Sequence, residues 1–265
     1  LKSVQDPRST GVGNHLTTTY TVDGLGQRLR LSSPDSGTGT VDTTYYPDGL
    51  PNVYTDSRGK KFTYTWDDLG RLSKVAYSTG TATSYTYDNC TTGTTTSVGQ
   101  LCKVTDESGN TTYTHDGFGR VLTKKQVVSY KPAGSTTTTS RTFQHTLVWR
   151  MPEGAAQDIG KLKSHTYPSK ARVNYIYDPT TRQLQSITLT PVKPDGSGTA
   201  GPAATKTLLS GLQFHPLGGA KSWLWGDNVS YSRGFGSHAR LSTYPLGNPV
   251  GNGTAAGLLR TLGYE

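Results

Sequence analysis

Two pairs of adjacent carboxylates are the residues of this sequence best suited to acid–base chemistry or calcium binding. Asp67 is followed by Asp68, and Asp106 is followed by Glu107. Paired carboxylates can share the roles of general acid and base, and they supply the oxygen ligands that calcium prefers. Both pairs, however, lie at recurring places in a repeated sequence, where an aspartate caps the backbone N–H groups of a tight turn. We therefore interpret them as turn caps, and we predict no catalytic residue, no metal ligand and no cofactor.

Cys90 and Cys102 are the only cysteines, and a Thr- and Gly-rich stretch separates them. A disulfide between them would close a short loop and would favour an exported protein. Two cysteines at this spacing are not a zinc signature, and a pair of reduced thiols is the alternative. The six histidines show no metal-binding spacing; they stand at positions 15, 115, 145, 165, 215 and 238.

The composition favours a thin, sheet-rich protein. Hydrophobic residues make up 32% of the 265 residues, and 16 tyrosines stand against 5 phenylalanines. Tyrosine has an apolar body and a polar tip, which suits the half-buried face of a sheet. The formal net charge of +9 is spread along the chain, so we expect no specific nucleic-acid partner. We predict no transmembrane segment, because no apolar run approaches the ~18–20 residues that a membrane helix needs.

Alternating aromatic and polar residues predict strands rather than helices. Thr63–Trp66, Ser84–Tyr87 and Asn174–Tyr177 each place aromatic side chains at every second position. Side chains alternate between the two faces of a strand, so the aromatics of each segment share one face. The predicted fold class is all-β, an array of antiparallel β-hairpins.

An internal repeat is the strongest signal in the sequence. Its clearest copies begin at Tyr20, Tyr64 and Tyr113, and partial copies begin at Tyr45, Tyr85 and Tyr175. Looser copies begin at positions 142, 212, 231 and 262, and the steps between copies run from 19 to 37 residues. The repeat is carried by these residues: Tyr20, Asp23, Gly26, Tyr64, Asp67, Gly70, Arg71, Tyr113, Asp116, Gly119, Arg120, Tyr175 and Asp178.

The repeat has a mechanical interpretation as a hairpin turn. Residues 68–70 form a three-residue loop in which Asp67 accepts backbone N–H bonds. Gly70 supplies the positive φ that ends a type I turn with a bulge. Arg71 then opens the return strand, where it contacts Asp67 or stacks on Tyr64. A single hairpin is marginal by itself, so neighbouring hairpins must supply the remaining stability.

The motif Tyr-x-Tyr-Asp-x-x-Gly-Arg-Leu resembles the YD repeats of the Rhs family of bacterial polymorphic toxins, which also occur in Tc toxin B and C components and in teneurins. Tyr64–Leu72 and Tyr113–Leu122 carry the resemblance most clearly, and Trp225-Gly226 stands where bacterial Rhs proteins commonly have a Trp-Gly pair. The turn after Asp178 departs from the motif, because it lacks the glycine.

The resemblance implies a fold and a role. The fold is a β-sheet that spirals into a hollow shell, and the role is to encapsulate a C-terminal toxin domain absent from this sequence. We expect residues 1–265 to be one YD-repeat region from a longer array, clearest over 20–125 and divergent over 142–265. The expected partners are the enclosed toxin and the remaining shell, and the expected location is secreted or cell-surface, with the targeting signal outside this sequence. A cell-surface adhesion or carbohydrate-binding module that uses exposed aromatics is the alternative, with glycans as partners.

Overall fold

The computed structural model describes residues 2–9, 15–37, 39–88, 90, 97–150, 160–236, 238–246 and 258–261. The chain divides into two compact units. Unit 1 comprises residues 1–120 and 125–142, and unit 2 comprises residues 121–124 and 143–265. The described residues form strands and turns with two short 3-10 helices, Pro34–Ser36 and Pro202–Ala204, and none of these helices is long and apolar enough to cross a membrane.

The strands follow one another at short intervals along the chain. Their bounds are β1 Ser3–Ser9, β2 His15–Val22, β3 Arg28–Ser32, β4 Val41–Tyr45, β5 Pro51–Thr55, β6 Lys61–Trp66, β7 Leu72–Tyr77, β8 Thr83–Tyr87, β9 Leu101–Asp106, β10 Gly109–His115, β11 Val121–Tyr130, β12 Thr139–Trp149, β13 Leu162–Thr166, β14 Arg172–Tyr177, β15 Leu184–Thr190, β16 Lys206–Phe214, β17 Ala220–Trp225, β18 Ser230–Ser232, β19 Gly234–Phe235, β20 Leu241–Leu246 and β21 Leu258–Thr261.

Within each unit, consecutive strands of the main sheet pair antiparallel. In unit 1 this holds from β1 through β10. In unit 2 it holds from β12 through β18, and β19, β20 and β21 form a separate three-stranded sheet. These pairings confirm the all-β hairpin array that the sequence predicts.

The sheet has an apolar and a polar face, but its core is thin. In β6, Phe62, Tyr64 and Trp66 are half-buried, whereas the residues between them are exposed. Tyr64 lies opposite the buried Val75 of β7. In the described part of the chain, Val75, Cys102 and Trp223 are the buried hydrophobic residues. Because little side-chain volume is enclosed, the contacts between neighbouring hairpins must carry much of the stability.

Candidate functional site

The connections between consecutive antiparallel strands alternate between the two rows of strand ends. Each of these rows is called an edge here, and the word does not refer to an edge strand. We call the edge that carries the connections after even-numbered strands the turn edge, and the other the opposite edge. In unit 1 the turn-edge connections begin at Asp23, Tyr46, Asp67, Asp88 and Asp116. In unit 2 they begin at Arg150, Asp178 and His215. The repeat signature therefore falls on one edge of the sheet in each unit.

The turn at Asp67 shows how the signature residues act. The Asp67 N–H donates to the Arg71 carbonyl at 2.9 Å, and the Gly70 N–H donates to the Asp67 carbonyl at 2.9 Å. One Asp67 carboxylate oxygen accepts from the backbone N–H groups of Leu69 and Arg71 at 3.0 and 2.9 Å. Gly70 has a φ of 71°, which costs a residue with a Cβ about 1–2 kcal/mol. Asp67 accepts hydrogen bonds from the backbone N–H of Arg71 and from its side chain. These bonds, the backbone one most strongly, lower the pKa of Asp67.

The other full copies of the motif fold in the same way. Asp23 accepts from the N–H groups of Leu25 and Gln27, and Gly26 has a φ of 82°. The equivalent residues of the third copy are Asp116, which accepts from the N–H groups of Phe118 and Arg120, and Gly119, with a φ of 76°. Burial raises the pKa of Asp116, but the hydrogen bonds from Arg120 outweigh it and the pKa is lowered.

Turns that depart from the motif still have a residue in the left-handed conformation before the return strand. The Asp178 N–H donates to the Gln183 carbonyl, so this turn is one residue longer, and Arg182 takes the left-handed position with a φ of 61°. On the opposite edge of unit 2, Lys170 holds a φ of 72° in the turn from Tyr167 to Ala171. The left-handed residue before the return strand is therefore kept in turns that lack the glycine.

Arg71 also joins its own turn to the next one. Its Nε donates to Asp67 at 2.7 Å, while Nη1 and Nη2 donate to the two carboxylate oxygens of Asp88 at 2.9 and 2.6 Å. Of the two contacts expected for Arg71, the structure has the one with Asp67 and not the stacking on Tyr64, because the guanidinium lies 4.4 Å from the ring centroid of Tyr87. Arg71 lies nearer Tyr87 because its two Nη atoms are held by Asp88, the residue after that tyrosine. Arg71 and the Gly99 N–H lower the pKa of Asp88 to about 2.

Other turns make the same forward contact, but the acceptor is a backbone carbonyl of the next turn instead of a carboxylate. The Gln27 side chain, at the position of Arg71, donates to the Gly49 carbonyl of the next turn at 3.2 Å. In unit 2, the Lys161 ammonium donates to the Arg182 carbonyl and lies 5.0 Å from the ring centroid of Tyr177. The residue at the end of each of these turns therefore acts as a donor to its successor.

In five of the eight turn-edge connections, a Tyr or Trp directly before the turn makes the reverse contact. Its polar tip donates to the backbone carbonyl at the start of the preceding odd-numbered strand. Five such bonds, 2.8–3.1 Å long, join the Tyr45 hydroxyl to Arg28, the Trp66 indole to Pro51, the Tyr87 hydroxyl to Leu72, the Trp149 indole to Val121 and the Tyr177 hydroxyl to Leu162. We call these bonds the aromatic clamps.

The clamps occur where the backbone ladder has already ended. β7 and β8 pair at Lys74 with Ser84 and at Val75 with Thr83, so the Leu72 carbonyl lies beyond the last pair. The Tyr87 hydroxyl supplies the donor that this carbonyl would otherwise lack. Likewise, the last pair of β13 and β14 toward the turn edge is at Ser164. The Leu162 carbonyl, two residues nearer the turn, therefore lies beyond the ladder. This role was not predicted from the sequence, although the recurrence of Tyr and Trp directly before the turn is a visible signal for it.

The first aromatics of the repeats have a packing role. Tyr64 and Tyr175 are half-buried, and burial raises the pKa of both hydroxyls. Tyr20 lies opposite Leu31 of β3, and Tyr113 is half-buried in β10. The loose copy that begins at position 262 lies outside the described residues.

Cys90 and Cys102 form a disulfide in the structure, with their Cα atoms 4.5 Å apart. The His115 Nδ1 lies 3.5 Å from the Cys90 sulfur. His115 stands directly before the Asp116 turn, at the position of the clamp aromatics. The disulfide therefore lies at the turn edge, beside the ring that replaces a clamp.

One member of each carboxylate pair caps a turn. Asp67 is held by its own turn, and Asp106 caps Ser108 in the connection between β9 and β10.

The His145 Nδ1 lies 2.9 Å from the His165 Nε2, and the His165 ring stacks on Tyr167. The described residues contain no group of three or more His, Cys, Asp or Glu side chains placed to hold a metal ion.

An aromatic cluster in unit 2 is the surface best suited to stacking. Trp223 and Tyr231 stack with ring centroids 4.4 Å apart, and Arg233 lies 5.0 Å from the Trp223 ring. Trp225 packs edge-on against Trp223 and is 41% exposed. A sugar ring could stack on such a side chain.

Comparison with protein families and solved structures agrees with this geometry. Residues 96–136 match the RHS repeat family. The crystal structure of TcdB2–TccC3 without its hypervariable C-terminal region is similar, with 16% identity and a TM-score of 0.63 over 90% of this chain. A Photorhabdus luminescens Tc holotoxin pore is similar with 17% identity and a TM-score of 0.66 over 92% of this chain. No curated protein sequence matches.

These matches confirm the resemblance to Rhs/YD repeats. They also show that this chain has a fold found in the Tc toxin structures. The chain spans 13% of the length of each of those two solved chains. At these identities the likeness establishes the fold.

Proposed function

We propose that this chain is a length of wall in an Rhs-type β-sheet shell that encloses a C-terminal toxin domain. The observation that carries the proposal is the pair of contacts that join successive hairpins at the turn edge. Each clamp aromatic bonds back to the preceding strand, and residues such as Arg71 bond forward to the next turn. A protein whose stability comes from such neighbour contacts can extend indefinitely as a sheet.

The thin core favours a wall over a globular enzyme. A folded enzyme encloses its site within a packed body, whereas this sheet encloses few side chains fully. Tyrosine bodies cover one face while their hydroxyls satisfy backbone carbonyls at the edge. The signature residues Asp67, Gly70 and Arg71 thus fix the geometry of the turn. We propose that the chain has no catalytic role of its own.

Export to an oxidising compartment fits the same proposal. Cys90 and Cys102, which form the disulfide, lie two residues after Asp88 and Gln100, respectively, and the Asp88 N–H donates to the Gln100 carbonyl. Disulfides persist in secreted and cell-surface proteins. The protein is accordingly proposed to act outside the cytosol.

The test uses the full-length polypeptide that contains this sequence. It is purified natively, and its native mass is compared with its bands on a denaturing gel. The proposal expects a C-terminal piece that is cleaved but stays associated until denaturation. A single intact band with no protease-protected domain would overturn it.

A matched pair of variants sharpens this test. Tyr87→Phe with Tyr177→Phe removes two clamps, and Tyr85→Phe is the control, because its hydroxyl makes no hydrogen bond within the described part of the chain. The clamp variant should expose the enclosed domain to protease sooner than the control does. Equal protection in both would show that the clamps do not seal the wall.

A carbohydrate-binding function is the second candidate, and the exposed Trp225 favours it. A glycan array on the folded chain, repeated with Trp225→Ala, distinguishes the two. Reproducible binding that Trp225→Ala abolishes would support recognition of sugars, whereas a wall alone should bind none.

A further inference from the structure

His145 and His165 bring two imidazole nitrogens together on one face of the sheet in unit 2. The His145 Nδ1 lies 2.9 Å from the His165 Nε2. His145 belongs to β12 and His165 to β13, and these strands pair at Thr146 with Thr166 and at Leu147 with His165. An antiparallel ladder therefore positions the two rings. The histidines are 20 residues apart in the sequence, so their spacing gave no signal for this contact.

The separation of the two nitrogens matches that of two neighbouring ligands on one metal ion. Imidazole nitrogens bind such ions at about 2.0–2.1 Å, so two bonds at a right angle place the nitrogens about 2.8–3.0 Å apart. The tetrahedral angle of a zinc site would place them about 3.3–3.4 Å apart. The observed 2.9 Å corresponds to the right angle, which is the geometry of square-planar or tetragonal copper(II) and nickel(II) sites.

Both rings can act as neutral ligands. A histidine binds a metal through a nitrogen that carries no hydrogen. Burial and the neighbouring His145 lower the pKa of His165, so its ring is neutral at neutral pH. In the hydrogen-bonded pair, one of the two facing nitrogens carries a hydrogen. The tautomer with both hydrogens on the far nitrogens leaves two facing lone pairs, so a metal ion can bind between the rings without net release of a proton.

Tyr167 orients the two rings and leaves the site open to water. Its ring stacks on His165 with centroids 4.1 Å apart and packs edge-on against His145 with centroids 5.8 Å apart. Tyr167 is 38% exposed, and both histidines are only half-buried. Water can therefore reach the positions of a metal ion that the two imidazoles do not occupy.

We propose that His145 and His165 bind one copper(II) ion as neighbouring ligands, with water in its remaining positions. Sites with nitrogen ligands bind copper(II) more tightly than the other divalent ions of its row. Two protein ligands are fewer than a structural zinc site has, so the ion is expected to exchange with solution. The bound ion links β12 to β13. The proposal goes beyond the wall function and does not depend on an enclosed toxin.

Copper(II) binding to the folded chain tests the proposal, with the metal salt alone as the probe. Titration in competition with a chelator gives the stoichiometry and the dissociation constant. His145→Gln and His165→Gln should each bind copper(II) roughly tenfold or more weakly than the wild type, because each lacks one of the two ligands. The matched control is His238→Gln, which replaces an exposed histidine outside the pair and should bind as the wild type does.

Electron paramagnetic resonance provides a readout that a purely structural role of the pair would not change. The copper(II) spectrum of the wild type should show coupling to two imidazole nitrogens, and that of either pair variant should show fewer. Circular dichroism and thermal melting without metal establish that each variant is folded. If one variant fails to fold, the other variant and the wild-type spectrum still decide the matter.

Two results would overturn the proposal. Equal copper(II) affinity in the wild type and both pair variants shows that the ion binds elsewhere on the chain. A wild-type spectrum with one coupled imidazole or none shows that the two rings share a hydrogen bond and do not bind a metal together. Either result leaves the enclosure test on the full-length polypeptide unaffected, so the two proposals fail separately.

Discussion

Replacing Tyr87 by phenylalanine tests whether the aromatic clamps hold successive hairpins together. The substitution keeps the ring, which lies under Arg71, and removes only the hydroxyl that donates to the Leu72 carbonyl at 2.9 Å. This carbonyl lies past the end of the ladder between β7 and β8, so no strand partner replaces the lost donor. A net hydrogen bond of this kind contributes about 0.5–1.5 kcal/mol. For a chain of this size, we expect the melting temperature to fall by about 2–4 °C per kcal/mol.

Urea unfolding followed by circular dichroism measures the effect, with Tyr85→Phe as the matched control. Tyr85 lies on the same strand, opposite Val104, so its change should stay within about 0.5 kcal/mol. The clamps of Tyr45 and Tyr177 are distant from Tyr87 in sequence and share no partner with it. The triple phenylalanine variant should therefore lose about the sum of the three single losses. A triple variant with the urea midpoint of the wild type would refute the clamp mechanism.

Gly70→Val should lower the free energy of unfolding by about 1–2 kcal/mol, because a β-branched residue is strained at a φ of 71°. Lys170→Gly should instead raise it by up to about 1 kcal/mol, because Lys170 already holds a φ of 72°. Asp88 has a pKa of about 2 in the folded chain, below the unfolded value of ~3.9, so its contribution is present above pH ~4 and is lost as the pH falls toward 2. In that pH window, the melting temperature of the Asp88→Asn variant should change less with pH than that of the wild type does. Replacing Cys90 and Cys102 by serine should cost about 3 kcal/mol, and a reductant should destabilise the wild type but not this variant.

Each of these expectations can fail independently. Equal urea midpoints for Gly70→Val and the wild type would contradict the left-handed turn, and a destabilised Lys170→Gly would contradict the strain assigned to that lysine. An unchanged pH profile for Asp88→Asn would show that Arg71 does not stabilise the ionised carboxylate. A wild type that is insensitive to reductant would contradict the disulfide.

The local part of the repeat could be predicted from the sequence because its contacts span four residues. Asp67 reaches the N–H groups of Leu69 and Arg71, and a glycine at the left-handed position is a general requirement of such turns. The same reasoning predicted strands from the alternation in Thr63–Trp66. These features follow from backbone sterics and side-chain periodicity, which act within one hairpin.

The contacts between hairpins could not be predicted in the same way, because they depend on register. The Tyr87 hydroxyl reaches a carbonyl 15 residues back, and the Trp149 indole reaches one 28 residues back. The preference of Arg71 for Tyr87 over Tyr64 likewise depends on where the following turn lies. Only the residue types gave a signal: Tyr and Trp, which share a donor at the tip, interchange directly before the turn.

The clamps also explain why the repeat tolerates variable spacing. A clamp involves the aromatic before one turn and the carbonyl after the preceding turn, so the residues inside the connections do not enter it. The Asp88 N–H still donates to the Gln100 carbonyl at 3.0 Å across a connection several residues longer than that at Asp67. Tyr177 likewise keeps its bond to Leu162, although the turn that follows it is one residue longer. Steps of 19 to 37 residues are therefore compatible with one hairpin geometry, because the clamps contact only the ends of each connection and do not depend on its length.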